Sequence, residues 1–160
     1  MAEAPHEELL LGLRSDLNLP NLDLSAFDPS SALEVANWGE RLVHSFLQQL
    51  QQQEGADVVD VKWMNETDES GAPYDFRVTM CDPQNRETVD VFVEVKSTCT
   101  KSKAFFEISD RQYEFAQQQQ HNFHLYRVFS AGDPSQVRVI KLVNVAKLLQ
   151  EKHLKLCMVV

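Results

Sequence analysis

Glu94 and Lys96 stand two residues apart in VDVFVEVKST, the stretch from Val89 to Thr98. Successive side chains of a strand point to opposite faces. Val91, Val93 and Val95 therefore share one face, with Asp90, Phe92, Glu94 and Lys96 on the other. On its own such a pair is ordinarily a solvated surface ion pair of little energetic worth. Two further carboxylates change the reading. Asp75 heads the preceding strand-like segment in PYDF, and a hairpin joining residues 73–81 to 87–97 brings it beside Glu94. Glu40 lies in NWGERL, next to Gly39, where a helix can pack closely on a neighbour. The loop after Lys96, STCTKSK, is small and basic, as suits an edge facing phosphate.

Adjoining carboxylates repel and are costly to hold together without a cation. A hard ion such as Mg²⁺ or Mn²⁺ removes that cost, taking one or two carboxylates and keeping water in its other positions. Such an ion acidifies a bound water and neutralises charge on a phosphoryl oxygen. An ammonium beside that water stabilises the negative charge that develops. Two carboxylates and an ammonium around one phosphate are the set that phosphodiester hydrolysis requires.

The elements that must position these groups are legible in outline. Ser31-Ala-Leu-Glu34 fits a capping box, and Leu33, Ala36, Trp38, Leu42, Val43, Phe46, Leu47 and Leu50 mark a helix to about Gln53, before Gly55. Three strand-like segments follow at 56–64, 73–81 and 87–97, the last two joined through Asp82–Arg86. Ser109–Gln112 is a second capping box, opening a helix to about Gln119. Residues 123–130 and 136–142 read as strands around Gly132-Asp-Pro, and 144–153 as a final helix. The order α-β-β-β-α-β-β-α predicts a mixed α/β protein, a central sheet of about five strands flanked by helices. Residues 1–30 read as an acidic, leucine-containing arm with a short helix at 6–14; residues 31–160 form the α/β domain.

Length and composition agree. A chain of 160 residues with 43% hydrophobic content fits one domain with a packed core. No apolar run suggests a membrane span, and the acidic N-terminal segment does not resemble a signal peptide; the expectation is an intracellular protein. Three widely spaced cysteines, Cys81, Cys99 and Cys157, argue against a disulfide framework. The net charge of −9 is concentrated at the start: residues 1–34 hold seven acids and one base, the rest 17 acids and 14 bases. Lys101, Lys103 and Arg111, close behind Lys96, form a local basic rim able to steer phosphates.

With a helical Glu40 ahead of Asp75 and Glu94-Val95-Lys96, the chain resembles the PD-(D/E)XK restriction-endonuclease-like superfamily. More narrowly, NWGERLV, DESGAPYDF, VFVEVKST, FFEISDRQYEFAQ and HLYRVF resemble, in order, the C-terminal domain of plant NO VEIN proteins. The resemblance spans about residues 34–145 and excludes the arm. It implies that Asp75 and Glu94 are metal ligands, the Val95 carbonyl a third, and Lys96 the catalytic ammonium. Glu40 completes the metal shell directly or through water. Ser97 and Gln112 are implied near metal-bound water or substrate. One departure is Pro73-Tyr74-Asp75, which puts one residue between proline and aspartate.

The expected function is Mg²⁺- or Mn²⁺-dependent hydrolysis of DNA or RNA, the two being indistinguishable at this stage. The contrasting expectation is a catalytically silent nuclease-fold module that binds nucleic acid or a protein partner. Partners or neighbouring domains are expected through the N-terminal arm, with a homodimer as one form.

Overall fold

The helix Ala32–Gln52 begins where Ser31 accepts a hydrogen bond from the Glu34 amide at 3.3 Å. The capping box expected there forms only in part. The Glu34 carboxylate reaches past Ser31 and accepts from the Asp28 amide at 2.6 Å. In this computed structural model, the residues described are 6–9, 22, 24, 27–82 and 84–158.

In chain order the elements are strand β1 (His6–Leu9), helix α1 (Ala32–Gln52), strands β2 (Val58–Trp63), β3 (Phe76–Cys81) and β4 (Thr88–Ser97), helix α2 (Asp110–Gln119), a 3₁₀ turn (Gln120–Asn122), strands β5 (Phe123–Phe129) and β6 (Arg138–Val143), and helix α3 (Val145–Gln150). The fold is α/β. The strands form one mixed sheet in the order β1-β6-β5-β4-β3-β2. The five expected strands are joined by β1, which pairs antiparallel with β6. Residues 6–9 are thus a strand and not the start of a helix; of the other arm leucines, Leu22 and Leu24 pack against the core, and Leu10, Leu11, Leu13, Leu17 and Leu19 lie outside the described residues.

β2, β3 and β4 form an antiparallel meander. α2 then carries the chain across to β5, which pairs parallel to β4, with Lys96 opposite Arg127. A parallel pair requires such a crossover. Each face of the sheet is covered. Val91, Val93 and Val95 join Phe76, Val78 and Val128 under Trp38, Leu42, Val43 and Phe46 of α1. Phe92 packs on the other face with Phe123, Leu125, Ala116 and Leu148, under α2 and α3. The alternation read in β4 is therefore the division between two cores. On α1 the buried stripe is Val35, Trp38, Gly39, Leu42, Val43, Phe46 and Leu47; Leu33, off this stripe, is exposed.

Gly39 brings α1 close to the sheet. A methyl group at that position would collide with the Ser97 hydroxyl and sit 2.9 Å from Ser97 Cβ, both on β4. Overpacking of this kind costs about 1–3 kcal/mol. Gly39→Ala should therefore lower the unfolding free energy by about that amount in urea titration, and Ser97→Gly in the same chain should restore part of it.

Candidate active site

The end of β4, the residue before β3, the third turn of α1 and the first turn of α2 meet at one end of the sheet. Asp75 is buried. Its own amide donates to the Val93 carbonyl at 2.9 Å, and its carbonyl accepts from the Met64 amide at 2.7 Å. Fixed in this way between β2 and β4, its carboxylate accepts from the Val95 amide at 2.8 Å and from Asn65 Nδ2 at 3.2 Å. Tyr74 anchors the same turn from the other face, its ring 4.8 Å from Phe92 and 5.2 Å from Phe115.

Glu94 is 3% exposed. Its Oε1 takes the Lys96 ammonium at 2.9 Å and Gln112 Nε2 at 2.6 Å. Gln112 Oε1 in turn accepts from Lys96 Nζ at 3.1 Å and from the Ser109 amide at 3.0 Å. The complete capping box of α2 is thus also the brace of the Glu94–Lys96 pair. Glu94 Oε2 is buried with no donor in reach, an arrangement that costs free energy unless a proton or a cation supplies what is missing.

Glu40 enters from α1, accepting from Trp63 Nε1 at 2.9 Å. The Trp63 ring is held between His44 at 5.0 Å and Phe76 at 5.7 Å. Three acids therefore face one ammonium. Burial, and then the charge of Asp75, push the Glu40 carboxyl up to about 7. The same two causes, in that order, push Glu94 to about 8, against the pull of Lys96. Asp75 is raised as well, by burial, against the Val95 amide and Lys96. With Asp75 beside it, the Glu94 carboxyl therefore keeps its proton near neutrality.

The structure thus joins Asp75, Glu94, Lys96 and Gln112 directly and sets Glu40 beside them. Val95 contributes its amide to Asp75. Ser97 lies on the α1 face instead, its hydroxyl buried beneath Gly39 and without a partner. The side chains of Lys101, Lys103 and Arg111 are exposed around the loop and the first turn of α2. Among the described residues no three His, Cys, Asp or Glu side chains converge as a ready metal cage. No described helix is long and apolar enough to cross a membrane.

Three residues escape a reading by spacing. Asn65 orients Asp75 from the turn after β2. Trp63 donates its indole N–H to Glu40. Arg127, in the middle of β5, is 4% exposed, and burial lowers its guanidinium to about 10. It donates to the backbone carbonyls of Lys103 at 2.7 Å and Lys96 at 3.4 Å. The signal for Arg127 was present in HLYRVF, a charged residue within an otherwise apolar run, as in VFVEVK.

A family model described as "Protein NO VEIN, C-terminal" matches residues 39–140. Two relatives in Arabidopsis thaliana are similar to the chain over 96 residues, 60% of its length. Protein NO VEIN-LIKE is 33% identical there and Protein NO VEIN 32%. The chain spans 14% and 3% of the length of these two proteins. No solved structure matches.

The raised carboxyls give stability a definite pH dependence. Between the ordinary glutamate value of 4.5 and about 8, the folded state holds protons at Glu94 and Glu40 that the unfolded chain has lost. Stability contributed by the neutral forms is complete below the unfolded value and is lost as pH rises through the folded one. In a chelating buffer the melting temperature should fall from about pH 5 to about pH 8, and Glu94→Gln should flatten that slope.

Proposed function

The chain belongs to the NO VEIN C-terminal family, and from that premise and the site's geometry we propose that it is a metal-dependent nuclease-type domain of the PD-(D/E)XK kind, hydrolysing nucleic-acid phosphodiesters. The observation that carries this reading is the buried Asp75–Glu94 pair, with Glu94 Oε2 unpartnered and Lys96 2.9 Å from Oε1. A strand pair selected only for stability would not hold two desolvated carboxylates and leave one oxygen empty.

The donor set suits a hard divalent ion. Glu94 Oε2 is free, and both Asp75 oxygens keep an unused lone pair beside the bonds from Val95 and Asn65. Asp75 and Glu94 would hold Mg²⁺ or Mn²⁺, with the Val95 carbonyl and Glu40 completing the shell directly or through water. When bound, such an ion supplies Lewis acidity toward a phosphoryl oxygen and toward attacking water. The remaining work belongs to the chain. Lys96 orients the water and opposes the charge that builds as the phosphorus–oxygen ester bond breaks. Gln112 fixes Lys96 and Glu94 relative to each other, so neither must be ordered at the moment of reaction. Asn65 and the Val95 amide fix Asp75, and Trp63 fixes Glu40.

A catalytically silent nuclease-fold module is the second reading. It draws on the absence, among the described residues, of three convergent ligands and on the acidic charge of −9.

Two measurements separate these readings. An ion that binds only the folded state raises the melting temperature by mass action. Millimolar Mg²⁺ or Mn²⁺ should therefore raise it in the wild-type chain and leave Asp75→Asn and Glu94→Gln unmoved. No shift in the wild type favours the silent module. Asp75→Ala, Glu94→Ala and Lys96→Ala should each abolish divalent-dependent cleavage of labelled single-stranded, duplex and branched substrates while circular dichroism stays native. Cleavage that survives all three would refute these roles.

A further inference from the structure

We propose that Phe105 is a stacking platform for an unpaired base of the substrate strand, so that the site accepts single-stranded or locally opened nucleic acid; the proposal rests on the nuclease reading above. Phe105 is 70% exposed, the one aromatic ring among the large hydrophobic side chains that stand exposed in the described residues. It lies on the segment that leaves β4 after Ser97, next to Lys96, and returns to Ser109 and Gln112, so both ends of that segment are anchored beside the site.

The ring stands on a fastened backbone. The buried Arg127 guanidinium, on the strand beside β4, donates to the Lys103 carbonyl at 2.7 Å and the Phe105 carbonyl at 3.5 Å. The neighbouring Phe106 turns inward, under Arg127 at 4.8 Å and against the core beneath α2. One phenylalanine of the pair is spent on packing and the other is left in water. An exposed phenyl adds nothing to the core, yet a rigid, solvated aromatic is what stacking on a base requires. Lys101 and Lys103 precede it and Arg111 follows, all exposed; the exposed acids Glu107 and Asp110 lie on the far side of the ring from the two lysines in sequence. Cations that hold the sugar–phosphate strand and a ring that holds a base are the two parts of a single-strand site. In an intact duplex the bases are already stacked, so the ring is offered nothing there.

The test is binding of the full chain to a short fluorescein-labelled oligothymidylate and to a blunt duplex, with Ca²⁺ as the divalent ion. Phe105→Ala should weaken single-strand binding by roughly tenfold, leave duplex binding and the melting temperature unchanged, and be rescued by Phe105→Trp. The introduced indole should also be quenched as the oligonucleotide binds. Wild-type affinity in Phe105→Ala would overturn the platform and leave the nuclease reading standing. Equal losses on single strand and duplex, or a changed sedimenting mass with unchanged binding, would also overturn it, the last assigning the ring to a protein contact. A wild-type chain that binds neither nucleic acid would refute both readings.

Discussion

Three carboxyl groups share a single ammonium where water is largely excluded, and much of the surrounding architecture serves to make that tolerable. Glu94 is nearly inaccessible and Asp75 buried; burial raises the proton affinity of both, and the charge of Asp75 raises that of Glu94 further. Left without donors, such a cluster would cost several kcal/mol per ion. The chain offsets part of this with at least one donor for each carboxyl group: Val95 and Asn65 for Asp75, Trp63 for Glu40, Lys96 and Gln112 for Glu94. One buried oxygen, Glu94 Oε2, is left over. That residual deficit separates this cluster from an internal ion pair with every oxygen satisfied.

The donors come from elements whose positions are set for other reasons. Gln112 closes the N-terminus of α2 and, with the same oxygen, receives Lys96. Trp63 is a core ring of the α1 face, wedged between His44 and Phe76, whose indole N–H happens to point at Glu40. Gly39 lets α1 settle on Ser97, and the residue next along the helix is Glu40. Rigidity at the site is therefore drawn from helix capping and core packing, which cost no additional ordering when substrate arrives. The parallel β4–β5 pair has a similar double role. It needs a crossover, the crossover is α2, and the segment leading into α2 is the basic loop pinned by Arg127.

A distinction follows between the cluster and its rim. The carboxylates and Lys96 are set by buried hydrogen bonds and have little freedom. Lys101, Lys103, Phe105 and Arg111 project into solvent from a loop and a first helical turn, fastened through backbone carbonyls rather than side chains. The cluster and its rim thus stand on parts of different stiffness. Recognition surfaces on loops over a rigid scaffold vary readily without disturbing what lies beneath. The relatives share this domain within much longer chains.

The sequence by itself determined the alternation of β4, the two helix caps, the order of elements and the placement of Asp75, Glu94 and Lys96 at the ends of adjoining strands. These are local properties: side-chain period, cap chemistry and hairpin length act over a few residues. Tertiary structure alone decided that β4 and β5 pair in parallel, that Arg127 would be buried against the carbonyls of a loop, and that Asn65 and Trp63 would serve the acids. It turned Ser97 to the α1 face and converted residues 6–9 from an expected helix into the sixth strand. It also sent the Glu34 carboxylate to the Asp28 amide instead of its own cap. The physical reason is common to all of them. Which donor meets which acceptor across the sheet depends on how two packed faces come to rest, and no interval along the chain encodes that distance.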